Sequence, residues 1–298
     1  MRLGLGNSLS RMGMRFGSAA APEAAYVAAL TAAGATVIAP QQAAISSFMS
    51  GEIAAGRWDG IKRFYFPVWG LAAANAICMK SLATGTWTGG AVTHAAGYVV
   101  SSLAGGYMDT NTTLGSLGIN TSSYHFAVIL KTSPYGGDNY GDCSYGISNM
   151  YPEADDGSDN YYMPRSPSGN VEIGTVYKAG VFTVGGNQSS RYFKNRDSSA
   201  LVTILDNLLF TENFTNHNVF FMRANGAGRG PQSSSTQTAA FSIATALTDA
   251  QDTAYTLNLQ NLYNRIRFGI ITGLDWQNYA DETIAYVIEL NKAGVAYV

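Results

Sequence analysis

The chain reads as a mainly β protein, a sandwich or jelly roll of short strands with α-helices flanking it at both ends. Three observations predict this. Between residues 71 and 246, short apolar runs alternate with Gly, Asn, Ser and Pro clusters that mark turns. Helical spacing of apolar residues is confined to residues 22–69 and to the stretch after residue 247. The composition combines 33 Gly and 18 Tyr with only 13% charged residues, which fits a turn-rich β protein rather than a disordered chain.

Residues 1–20 read as an arm, because Gly4, Gly6, Gly13 and Gly17 interrupt any helix. It is either a frayed terminus or a segment that orders on a partner. In the second case Arg2, Arg11 and Arg15, with no acid among them, are assembly residues. A first helix starts at Pro22 and Glu23, which suit a helix N-terminus, and stops at Gly34. Tyr26, Val27 and Leu30 share its apolar face. A second helix follows Pro40, with Ile45, Phe48, Met49 and Ile53 at helical spacing and Gly56 as its stop. The aromatic run from Trp58 to Trp69 is expected to complete a helical cap on the sandwich.

The strongest strand spans 124–130, apolar on both faces as a central strand is. Further strands are expected at 176–184, 218–222 and 239–243, and weaker ones at 98–100, 191–193 and 201–205. Gly180 is expected to mark a bulge or a close backbone approach. Thr248 and Gln251 form a capping-box pattern opening a helix, with Leu259, Leu262, Tyr263 and Ile266 as its stripe and Gly269 as its end. A last helix spans 281–294. It echoes the first: Ala285, Tyr286, Val287, Leu290, Ala293 and Gly294 repeat Ala25, Tyr26, Val27, Leu30, Ala33 and Gly34 at one constant offset. Either two amphipathic helices coincide, or the tail is a degenerate start of a second unit. On the second reading Tyr286, Val287 and Leu290 are assembly residues, packing on a neighbour or on their own domain. The expected organisation is an arm (1–20), a helical segment (21–70), a sandwich with its closing helix (71–268) and a helical tail (269–298).

The chemistry is sparse. A net charge of −2 gives no field for nucleic acid. No apolar stretch is long enough to span a membrane, and the start lacks the apolar core of a signal peptide. Cys78 and Cys143 have no metal spacing and read as free thiols. The sequons at Asn111, Asn120, Asn187 and Asn213 read as by-products of a Ser/Thr/Asn-rich chain. Glycine signatures for dinucleotides or phosphates are absent, and so is a nucleophile elbow. His94, His125 and His217 have unrelated spacings, and His125 falls inside the best strand.

Glu153 and Asp155 have the alternate spacing of paired carboxylates, but Gly157 places them in a loop and Ser158 stands where a third acid would complete a jelly-roll glucanase pattern. No catalytic residue is assigned and no enzyme is expected. The same loop, with Asp155, Asp156 and Asp159 around Gly157, is either a solvated acidic loop or a Ca²⁺ site, the one cofactor left open. Tyr135, Tyr140, Tyr145, Tyr151, Tyr161 and Tyr162 crowd a Gly/Asn/Asp/Ser-rich stretch. They either cover the sandwich ends or form an adaptable ligand-binding surface.

The stretch from Ala239 to Gln251 and on to Asn264 resembles the end of the concanavalin-A-like (laminin-G-like) sandwiches in virion proteins of tailed phages. There a Phe-Ser-Ile strand leads through Leu-Thr-Asp-Ala into a helix (here Phe241, Ser242, Ile243, then Leu247, Thr248, Asp249, Ala250). The helix pair followed by Trp58, Ile61 and Lys62 resembles the same group. The resemblance covers residues 22–268 and implies a concanavalin-A-like jelly roll. It also implies a structural or adhesive virion part, namely a tail fibre, receptor-binding tip or surface appendage. Its partners would be other virion proteins, further copies of the chain (a trimer, by analogy with fibres) and a host cell-surface glycan. A carbohydrate-binding module and a capsid decoration protein are the alternatives, with a polysaccharide depolymerase last.

Overall fold

The computed structural model describes residues 21–88, 92–101, 106–120, 122–131, 143–144, 149–150, 153–154, 161–162, 172–173, 180–186, 191–196, 201–206, 218–222 and 237–292. Helices α1 (Pro22–Ala32) and α2 (Ala39–Ala54) lead into strand β1 (Ile61–Tyr65) and the one-turn helix α3 (Ala72–Asn75). Strands β2 (Thr86–Thr88), β3 (Val92–Ala95), β4 (Tyr98–Ser101), β5 (Tyr107–Thr113) and β6 (Tyr124–Leu130) follow. Five two-residue strands come next: β7 (Cys143–Ser144), β8 (Asn149–Met150), β9 (Glu153–Ala154), β10 (Tyr161–Tyr162) and β11 (Glu172–Ile173). Then come β12 (Gly180–Gly186), β13 (Arg191–Arg196), β14 (Leu201–Asp206), β15 (Asn218–Phe221) and β16 (Thr238–Ala244). Helices α4 (Asp249–Thr272) and α5 (Asp281–Lys292) close the order.

The pairings are antiparallel. A large sheet runs β14-β13-β12-β6-β16-β4-β3, with β1 also on β16; a smaller one runs β2-β5-β15-β7-β8; and β11-β10-β9 form a third. The chain is mainly β, as expected, with helices at both ends. Strand β6 explains how the layers meet. Tyr124, Phe126, Val128 and Leu130 point into a core shared with Met108, Val219 and Phe221 of the small sheet. Ala127 and Ile129 point the other way, into a core shared with Tyr26, Phe48, Leu259 and Ile266 of the helices. A strand covered on both faces has no polar side to show, so its sequence runs apolar without a break. Each large side chain buried there contributes about 1.5–3 kcal/mol.

Several expectations need correction. The run from Trp58 is not a helical cap: residues 61–65 form β1 and pair with β16. Phe64 and Phe66 enter the helix-side core and Tyr65 the inter-sheet core. Three consecutive aromatics can all be buried on a strand covered on both faces; on a surface helix, at about 100° per residue, one would face water. Ile53 is exposed, unlike Ile45, Phe48 and Met49. Gly180 marks no bulge, since β12 pairs with β6 without a register shift. Helix α4 runs through Gly269 and ends at Gly273, whose left-handed φ of 69° makes it the C-cap. The capping box at its start is present, with Thr248 and Gln251 each accepting from the other's backbone N–H.

Helix α5 packs on its own chain. Ile284 and Val287 bury against Phe268, and Arg265 of α4 grips the Asp281 carboxylate with two bonds of 3.1 and 3.0 Å. Trp276, between the two helices, donates to the Pro40 carbonyl at 2.7 Å.

Candidate functional site

The smaller sheet turns one face to the sandwich core and the other away from it. On β5, Met108, Thr110 and Thr112 are buried, while Tyr107 and Asp109 are half-buried and Asn111 is exposed. On β15, Val219 and Phe221 are buried, and Asn218 and Phe220 are half-buried. Strand alternation therefore places Tyr107, Asp109, Asn111, Asn218 and Phe220 together on the outer face. Register aligns them: Phe220 and Thr86 of β2 both sit opposite Asp109. Tyr107 and Phe220 meet diagonally across the strands, with ring centroids 4.9 Å apart.

Asp109 is held from two directions. The Asn111 backbone N–H donates to one carboxylate oxygen at 2.7 Å, and the Asn218 side-chain amide donates to the other at 3.0 Å. Asn111 takes a left-handed φ of 54°, which Asn tolerates better than most residues and which turns its N–H back onto Asp109. Its own amide is fixed by Thr86 Oγ1 at 2.9 Å and the Thr84 carbonyl at 3.2 Å. The result is an aromatic pair beside a rigid carboxylate rimmed by amides and hydroxyls. Such a surface can stack an apolar sugar face and accept hydrogen bonds from hydroxyls next to it.

A second polar cluster lies on the opposite side of the large sheet, under α4. His125 Nε2 is 2.8 Å from Asp252 Oδ1, and Lys194 Nζ is 3.1 Å from Asp252 Oδ2. Lys194 also donates to Asp249, and Thr183 donates to Asp252 at 3.4 Å. Burial pushes the Asp252 carboxyl up, yet the His125 hydrogen bond and the His125 and Lys194 charges outweigh it and hold the carboxyl below its ordinary value. Burial likewise pushes Lys194 down, but Asp249 and Asp252 leave it raised. His125 and Asp252 are fully buried and Lys194 is only 1% exposed, while Asp249 stays 84% exposed at the rim; the cluster fixes α4 on the sheet. A parallel lock joins Arg57 to Glu52 through two bonds of 2.7 and 2.8 Å, with Asn258 of α4 donating to Glu52 at 2.7 Å.

Of the residues singled out from sequence, Arg2, Arg11, Arg15, Tyr135, Tyr140, Tyr145, Tyr151, Asp155, Asp156 and Asp159 lie outside the described residues. Tyr161 and Tyr162 form β10, between β9 and β11. The described parts of the tyrosine-rich stretch also include β7 and β8, which extend the small sheet beside β15. Tyr286 is 63% exposed, Leu290 is half-buried and Val287 is buried within its own chain. Among the described residues, no group of three His, Cys, Asp or Glu side chains could hold a metal, and no helix is long and apolar enough to cross a membrane. Cys78 is a buried free thiol. Sequence reading missed Tyr107, Asp109 and Asn218. The only available signal was the alternation in residues 107–113, which Asn111 and the threonines blur.

No family model matches the chain, and no curated protein matches it. Solved structures do. Domain 4 of AbnA, a GH43 extracellular arabinanase from Geobacillus stearothermophilus solved in complex with arabinotriose, is 15% identical. The match covers 66% of this chain and 98% of that one, with a TM-score of 0.44. A Trypanosoma rangeli sialidase in complex with sialic acid is 8% identical over 67% of this chain and 33% of its own, with a TM-score of 0.44. A GH54 α-L-arabinofuranosidase soaked with a cyclic sulfate inhibitor is 8% identical over 60% of this chain and 41% of its own, at 0.38. The chain thus spans about a third of the sialidase. These are carbohydrate-active proteins rather than virion parts. They correct two expectations: the structural virion role is withdrawn, and so is the exclusion of an enzyme. Likenesses of this size transfer no residue roles and no reaction.

Proposed function

We propose that this chain binds a glycan, on the outer face of the smaller sheet of a concanavalin-A-like jelly roll. One observation carries the reading: the half-buried Tyr107–Phe220 ring pair sits beside a carboxylate locked by Asn111 and Asn218. Aromatic rings supply apolar contact area at low entropy cost, and a preorganised acceptor avoids part of the ordering cost of binding. Strands β7 and β8 extend the same sheet beside β15. The partner is then a polysaccharide or a cell-surface glycan.

The test is binding of the purified protein to an oligosaccharide panel, with arabinotriose and sialic acid included because they occupy the arabinanase domain and the sialidase above. Tyr107→Ala and Phe220→Ala should each weaken the best ligand by about 2 kcal/mol, roughly thirtyfold in Kd, with little change in melting temperature. Binding that survives both substitutions unchanged, or no binding across the panel, would refute the reading. The same incubations, followed for new reducing ends, decide whether a bound sugar is also cleaved.

A further inference from the structure

We propose that the groove between α1 and α2 seats the chain's own N-terminal segment, residues 11–17. Ala24, Val27 and Ala28 of α1 face Ala39 and Ala43 of α2 across an open groove of about 530 Å³. Tyr26 and Leu30 of α1 and Ile45 and Phe48 of α2 take the core side, so the groove lies on the solvent side of the helix pair, where Ala24, Ala28 and Ala39 are exposed. A groove walled by alanines has room for larger side chains to enter it. Glu23 is the one charged residue in its described lining, and it makes no ion pair among the described residues.

The chain carries a matching occupant just ahead of α1, in a segment that lies outside the described residues. Its residues 12–16 read Met-Gly-Met-Arg-Phe, between Arg11 and Gly17. In an extended conformation, alternation places Met12, Met14 and Phe16 on one face and Arg11 and Arg15 on the other. Unbranched methionines adapt to an irregular groove. The two arginines, with no acid among them, complement Glu23, which their long stems can reach from above the groove. Ser18 to Ala21 link this segment to Pro22. Four extended residues reach roughly 14 Å, while the α1 wall from Glu23 to Ala28 rises only about 7.5 Å, so the segment can fold back along it. A tether that short sets an effective concentration on the order of millimolar, which favours the chain's own segment over that of a second copy.

The experiment is limited trypsin digestion of the full chain, with cleavage after Arg11 and Arg15 followed by intact mass. A seated segment is cut only when it lifts off the groove. Ala28→Trp fills the groove from an exposed position, and Glu23→Gln removes its charge. Ala28→Trp should speed both cuts about tenfold and Glu23→Gln about threefold, with the melting temperature unchanged. Wild-type cutting rates at a fixed trypsin concentration should stay constant over an about hundredfold dilution of the protein. Equal rates in wild type and both variants would overturn the proposal. Wild-type protection that fades on dilution would overturn it too, because it would place the segment on a second copy.

Discussion

The two faces of the large sheet are built on different terms. The face toward the smaller sheet is filled by Phe126, Val128, Phe182, Phe221 and Phe241, with Phe221 and Phe241 stacked at 5.3 Å. The face toward the helices is apolar as well, but set into it is a charged lock, His125–Asp252–Lys194, and above it a second, Glu52–Arg57, ties α2 to α4 through Asn258. Sheet-on-sheet packing needs only area and shape. A helix lying on a sheet can slide or rotate at little apolar cost, and a directional buried ion pair penalises any register but one. Buried polar groups used this way fix geometry more than they add stability.

That difference can be broken by substitution, and the largest effects are expected at Asp252 and Phe241. Asp252→Ala leaves the buried His125 without its partner and Lys194 with only the exposed Asp249, and should cost about 3 kcal/mol in denaturant unfolding. Replacing Asp252, His125 and Lys194 together with apolar residues of similar volume should recover most of that loss; a triple variant as unstable as the single one would mean that the pairs supply stability rather than register. On the other face, Phe241→Ala should cost a comparable 3–5 kcal/mol, and no second substitution nearby should restore it.

Gly185 comes next. It lies between His125 and Tyr192 in the cross-strand row, and a Cβ there would come within 2.5 Å of Tyr192 Oη and 3.1 Å of His125. Gly185→Ala should cost about 1–3 kcal/mol by overpacking, and Tyr192→Leu in the same chain should relieve part of it. A close approach therefore falls at Gly185, because the rings that need the space come from neighbouring strands. Nothing local to β12 reveals them.

The pH dependence of the lock sharpens the comparison further. Asp252 is held below its ordinary value of 3.8, so its contribution is complete above that value and is lost as pH falls through the lower folded one. Lys194 is raised above 10.5, so its contribution is complete below that value and is lost as pH rises through the higher folded one. The lock's contribution to stability should be flat between these limits and fall at acid pH. The acid slope should shrink in the apolar triple variant and persist in Phe241→Ala. The smallest effect is expected at Tyr286, whose side chain is 63% exposed on α5: Tyr286→Ser should change stability by no more than about 0.5 kcal/mol.

Legibility in the sequence followed burial. The apolar run of β6 was found to the residue, and strands at 218–221 and 238–244 came within a residue or two of the structure, because strands buried on both faces carry no competing signal. The caps at Thr248 and Gly34 were equally plain, since side-chain and backbone chemistry at helix ends is local. Strand β1 was hidden by its aromatics, whose need for burial fits helix and strand alike. The outer face was hidden for a different reason. Tyr107, Asp109 and Phe220 lie more than a hundred residues apart in the chain at their extremes and are joined only by the β5–β15 pairing, a long-range register that no local pattern announces.

The most direct test of the account is hydrogen–deuterium exchange of the full chain with and without the best ligand from the oligosaccharide panel. Protection confined to residues 107–113 and 218–221, with the helices unchanged, is the predicted result. Protection on α1, α2 or α4 instead, with β5 and β15 indifferent to the sugar, would contradict it.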